Sequence, residues 1–166
     1  MMASFLLPLF EWMESTPVGQ AIRHSASLIA LLESIHLIGL TLLLGTILMV
    51  DLSLLGLGIG RTPAARIARE LRGWTAAGLA IMLVSGPLIL SSEAVRCYKT
   101  PAFWAKMALL AVALVFHFSV HRQVVFADPP APRHRAAWTA CLSLGLWTSV
   151  ALAGKAIAIF PPPGTN

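Results

Sequence analysis

Four long apolar stretches, separated by short basic or proline-rich connections, set the pattern of the chain. The first spans about residues 27–57 and reads LIALLESIHLIGLTLLLGTILMVDLSLLGL from Leu28 onward. The others are predicted at about 73–91, 102–124 and 136–159. At about 1.5 Å of rise per residue, helices of roughly this length cross a hydrocarbon core of about 30 Å. The first is longer than that and must tilt or protrude. Gly56, Gly58 and Gly60 are expected to end it, and RTPAARIAREL reads as a basic loop. Pro87 is expected to kink the second span. Residues 1–24 form an amphipathic lead, with Phe10, Trp12 and Met13 suited to a membrane surface. Within it Thr16-Pro17 reads as a helix start, Thr at the N-cap and Pro at the first helical position. The expectation is an all-α integral membrane protein: an N-terminal interfacial segment (1–24), then a four-helix transmembrane bundle (25–160).

The polar positions inside these spans are patterned too. With successive residues about 100° apart on a helix, Glu33, Leu40, Leu43, Ile47, Asp51 and Leu54 fall within about 60° of His36. Leu110, Ala113, His117 and His121 fall within about 60° of Lys106. Trp74, Gly78, Ile81, Ser85 and Ser92 line up on the second span, and Cys141, Thr148 and Lys155 on the fourth. Four such stripes predict a bundle with a polar or cofactor-bearing centre. Ionisable residues within membrane spans mark sites and face a bundle interior.

Composition supports the membrane reading. Of 166 residues 57% are hydrophobic and 11% charged, against about 25% charged in soluble domains. The net charge of +5 comes from Lys and Arg between the apolar spans. With no basic helix face, nucleic-acid binding is not expected. Four arginines follow the first span, and Arg122, Arg133 and Arg135 surround the third connection. The positive-inside rule therefore puts both termini outside and these two connections in the cytoplasm. The first charges are Glu11 and Glu14, and Pro8 interrupts the early apolar run, so a signal peptide is not expected. Cys97 and Cys141 predict neither a disulfide nor a zinc site.

On this topology Glu33, His36, Lys106 and Lys155 share the outer half, while Asp51, His117 and His121 share the inner half. Each group mixes charges and can neutralise itself, the condition for burial. His36 suits either an interhelical hydrogen bond or an axial position on haem iron. Gly39, one turn away, would leave room for a porphyrin edge, although glycine also serves plain helix contacts. Lys106 suits snorkelling to the surface or a place beside the cofactor. His117 and His121 share a face, but no HExxH glutamate accompanies them, and His121 is expected at the cytoplasmic interface. Glu33 suits pairing with Lys155 or Lys106, or a proton relay. Asp51 is expected to pair with Arg61 or an inner histidine. Met49, Met82 and Met107 are scattered, which does not support copper carriage. Trp74, Trp104 and Trp138 sit where an aromatic belt would place them, and Trp147 is deeper, suited to core packing or to packing on a cofactor.

The segments IHLIGLTLLLGTILMVDLSLLGL, WTAAGLAIMLVSGPLIL and FWAKMALL resemble a group of uncharacterised four-helix bacterial membrane proteins. More distantly the chain is similar to the CopD-type copper-resistance membrane domain and the HemJ-type protoporphyrinogen oxidase. The latter likeness implies b-type haem tied to His36 and to Lys106, the lysine of Phe103-Trp104-Ala105-Lys106. The remainder of the enzyme's pattern is absent, so the oxidase activity is not carried over.

The resulting expectation is a b-type haem protein of the bacterial inner membrane. His36 would be an axial ligand, with Lys106 or His117 near the other side. Electrons would pass to or from a quinone or a periplasmic redox partner, as in an oxidoreductase component. Two other classes fit the same sequence: a non-catalytic membrane subunit of a larger complex or homo-oligomer, and a transporter of copper or a small solute.

Overall fold

The structure, a computed structural model, describes residues 3–58 and 62–159. Gly60 and Arg61 lie outside the described residues. The described chain is helical with no strand among its residues: α1 (Ala3–Ser15), α2 (Pro17–Arg23), α3 (Ala26–Leu54), α4 (Ala64–Ser92), α5 (Ala94–Lys99), α6 (Pro101–Phe116), a π segment (His117–His121), α7 (Arg122–Val125) and α8 (Arg133–Ile159). Four helical stretches are long and apolar enough to cross a membrane: Ala26–Leu54, Ala64–Ser92, Pro101–Val125 and Arg133–Ile157.

Local chemistry explains most boundaries. Thr16 caps α2 as its sequence suggests, accepting a hydrogen bond from the Gly19 amide (3.1 Å), with Pro17 in the first turn. Ser25 caps α3 in the same way, accepting from the Leu28 amide at 3.3 Å. Gly56, at φ +78°, supplies the left-handed residue that ends α3. One expectation needs correction. The basic stretch after the first span is not a loop throughout, since α4 already begins at Ala64. Its Ala, Arg, Leu and Glu residues are good helix formers, and Arg66 pairs with Glu70 one turn on, at 2.9 Å. Pro8 lies inside α1.

Helices α3 and α4 make the closest pair, α6 packs on α8, and α8 also reaches α3. Helices α4 and α6 barely touch, so the ring of four is not closed on that side. The α3–α4 approach depends on glycine. A Cβ on Gly78 would stand 2.8 Å from the Leu43 amide nitrogen, and one on Gly39 would stand 2.5 Å from Ile81 Cγ2. The main core holds Leu43, Ile47, Ala113, Trp147 and Val150.

One end of the bundle is capped by α1, α2 and α5. Phe10, Phe103, Tyr98 and Trp104 meet there with ring centroids 5.1–6.1 Å apart. Glu14 fastens this cap: it pairs with Arg23 and accepts from the Val95 amide at 2.9 Å. The opposite end carries Arg66, Arg69, Arg72, Arg122, Arg133 and Arg135.

Candidate functional site

The polar residues within the spans fall at two levels. Nearer the arginine end, Asp51 of α3 is fully buried and His121 is only 3% exposed. His121 Nε2 lies 2.7 Å from Asp51 Oδ1. Asp51 thus has the inner-histidine partner expected of it, and that partner is His121. His121 is not at an interface, as its position near the span's end suggested, because Asp51 draws it into the core. Along the π segment the His117 and His121 rings, four residues apart, stack at 5.0 Å. Trp147 of α8 lies edge-on to His117, 6.3 Å between centroids. Four buried polar atoms in the described structure have no hydrogen-bond partner: Asp51 Oδ2, His117 Nδ1, Ser143 Oγ and Trp147 Nε1. Such atoms are uncommon and call for an explanation.

His117, His121 and Trp147 border a cleft of about 920 Å³ on the side where α4 and α6 part. Its walls include Leu43 and Ile47 of α3, Thr75 and Leu79 of α4, Leu114 and His117, and Trp147. Arg69, Arg72 and Arg122 stand at its arginine end, where the Arg69 guanidinium lies 6.0 Å from the Phe126 ring centroid. No acidic side chain lines it.

The second level lies nearer the capped end. His36 and Lys106 each stand fifteen residues before their helix's partner in the Asp51–His121 bond. Since α3 and α6 run in the same direction, the two sit at one depth, about 22 Å from that bond at 1.5 Å per residue. Both are half-buried. His36 Nδ1 is 2.8 Å from Ser85 Oγ of α4, and that hydroxyl also lies 2.6 Å from the Ile81 carbonyl oxygen. With the hydroxyl proton on that carbonyl, Ser85 accepts from His36 Nδ1–H, and the Nε2 lone pair is then free. Glycines lie beside both side chains without being required there: a Cβ on Gly86 would stand 3.6 Å from His36 Cε1, and one on Gly154 would stand 3.4 Å from Lys106 Nζ, both ordinary contacts.

Other expected site residues are placed differently. Gly39 provides no cofactor space, because Ile81 fills it. His117 is about 16 Å from the His36 level along the axis, counting residues from the same bond, so the two cannot flank one iron. Glu33 is exposed, and no described basic group lies within 4 Å of its carboxylate. Cys141, Thr148 and Lys155 also face outward, while Thr139, Ser143, Trp147 and Val150 form the inner face of α8. No group of three or more His, Cys, Asp and Glu suited to a metal ion occurs among the described residues. Outside the spans, burial pushes the Cys97 thiol pKa up, with the Glu93 carboxylate adding to the effect.

Fold and composition together define a four-span helical membrane protein with polar groups held inside its bundle. The match over residues 9–160 identifies the chain as a member of the family of unknown function DUF6644. No curated protein and no solved structure matches it. The expected likeness to the CopD and HemJ types therefore gains no support from these comparisons.

Proposed function

We propose that the bundle holds b-type haem at the His36–Lys106 level and exchanges electrons with a quinone or a periplasmic redox partner. The observation that carries this reading is the His36 ring. When the Ser85 hydroxyl donates to the Ile81 carbonyl, Ser85 accepts from His36 Nδ1–H and Nε2 is left free. A ligating imidazole is held in this way, its other ring N–H fixed by a hydrogen-bond acceptor. Ser85 thus orients the ring. Lys106 contributes positive charge at the same depth, next to a small residue of α8. Bound haem would supply one-electron chemistry, which none of these side chains offers. Glu33, one turn from His36 and turned outward, is the candidate for moving a proton at the surface. The arginine end lies in the cytoplasm of a bacterial inner membrane and the capped end outside, following the positive-inside rule.

The test is an absorption spectrum of protein purified after expression with ample haem. A Soret band is expected, lost in His36→Ala and kept in Lys155→Ala. A wild-type protein that is folded but lacks the band would refute the reading. One observation favours a second reading, a membrane subunit that packs against a partner. Cys141, Thr148, Lys155 and Glu33 turn away from the bundle, where another chain could meet them. Stoichiometric co-purification of a partner with a colourless bundle would decide for it.

A further inference from the structure

Three guanidiniums meet at one end of the cleft between α4 and α6 with no acid to balance them. Arg69 and Arg72 stand one turn apart on α4, and Arg122 opens α7. No described carboxylate lies within 4 Å of any of the three, whereas Arg23, Arg66 and Arg96 each have one. No acidic side chain lines the cleft at all. The Phe126 ring, 6.0 Å from the Arg69 guanidinium, helps to keep that cation at this end. Away from the arginines the wall turns apolar, with Leu79 and Leu114. Helices α4 and α7 meet at the arginine end, while α4 and α6 barely touch above it and both belong to spans. The gap between them therefore faces the bilayer.

From this juxtaposition we propose that the cleft holds one acidic glycerophospholipid, its phosphate on Arg69, Arg72 and Arg122 and an acyl chain along the gap between α4 and α6. Charge selects the headgroup. Basic pockets between membrane helices take anionic headgroups, and the planar guanidinium fork matches phosphate oxygens. A zwitterionic headgroup would bring an ammonium to three guanidiniums, with no carboxylate in the cleft to receive it. A soluble anion would satisfy the arginines but leave the apolar wall between the two spans uncovered. A lipid does both, because its charge and its chain are joined end to end as the arginines and the apolar wall are. The site shares no residue with the His36 level, so either proposal can fail alone.

The experiment is native mass spectrometry of the full chain in a neutral detergent, titrated with dioleoyl phosphatidylglycerol or dioleoyl phosphatidylcholine. Saturable retention of one phosphatidylglycerol per chain is expected, with phosphatidylcholine retained far more weakly. Arg72→Gln should weaken retention about fivefold, and Arg69→Gln, Arg72→Gln and Arg122→Gln together about a hundredfold. Arg133→Gln with Arg135→Gln, at the same end but outside the cleft, should leave it unchanged. All five arginines are exposed, so these variants should keep their helical content and melting temperature. Ala76→Phe, which fills the cleft from the α4 wall, should weaken retention with every arginine in place. Equal retention of the two lipids would overturn the proposal, as would retention indifferent to the triple substitution or to Ala76→Phe. An equal loss in the Arg133 and Arg135 variant would reduce the effect to general surface charge and overturn it too. Displacement of the lipid by equimolar glycerol phosphate would assign the arginines to a soluble anion instead.

Discussion

The two polar levels of the bundle are built on opposite principles. At the arginine end, Asp51 and His121 are sealed together in the core, and only a carboxylate oxygen of that pair is left over. At the capped end, His36 and Lys106 are half-exposed, and the hydrogen bonding around His36 leaves its reactive nitrogen unused. A sealed pair serves helix register, because its alternatives are expensive. On the haem proposal, the partnered side of the His36 ring orients it and the other side would ligate.

That contrast can be broken experimentally. The largest effect is expected at the sealed pair. Asp51→Ala strands His121 and should destabilise the bundle by on the order of 3 kcal/mol, read from unfolding in detergent and denaturant. Replacing both partners by leucine should recover much of the loss, since no buried polar group is then left alone. His36→Leu should cost far less, and equal losses at the two levels would erase the distinction.

Next come the glycine contacts. Gly78→Ala would press on the α3 backbone and should cost about 1–3 kcal/mol. The Cβ of Gly39→Ala would stand 2.5 Å from Ile81 Cγ2, 2.9 Å from Ile81 Cβ and 3.3 Å from the Gly78 carbonyl oxygen, so adding Ile81→Ala, which removes the first of these contacts and keeps the Cβ, should recover part of the lost stability. Failure of that rescue would mean that the α3–α4 approach is set elsewhere. Ser85→Ala is expected to be milder for folding, yet it should weaken haem retention about tenfold by releasing the ring. Retention unchanged in Ser85→Ala would separate Ser85 from ligand positioning.

The smallest expected effect concerns Cys97. Its thiol pKa is raised, so the thiolate forms only at more alkaline pH. Alkylation by a water-soluble maleimide should be slow at neutral pH and accelerate above the usual thiol range. A rate already at its plateau near neutrality would contradict the burial of this cap.

Much of this was legible in the residues. The four spans follow from apolar runs. The α3 and α6 faces follow from ionisable residues at helical spacing, because such side chains have few places to go in a membrane. The pairing of Asp51 with an inner histidine was readable for the same reason. The inner face of α8 was not. Cys141 and Thr148 are small, and hydroxyls on a lipid-facing helix can satisfy themselves on their own backbone, as Ser149 does on the Gly145 carbonyl at 2.7 Å. Lys155, near a helix end, can extend to the surface. A polar stripe of this kind therefore says little about which way it faces. The π segment also left no pattern in the sequence. His121 departs from its reading as an interface residue because its bond to Asp51 holds it in the core. Gly39 was ambiguous between contact and cavity, and only the position of Ile81 decides it. The cleft arises from helices that do not meet, which residue periodicity along single helices does not encode.

The most direct test sets the two levels against each other in one spectrum. Wild type, His36→Ala and His117→Ala are purified in parallel, and haem occupancy is read from the Soret absorbance per bundle. The prediction is full occupancy in the wild type, little in His36→Ala, and near-wild-type occupancy in His117→Ala. The opposite order would place the cofactor at the arginine end, and a folded but colourless wild type would remove haem from the account.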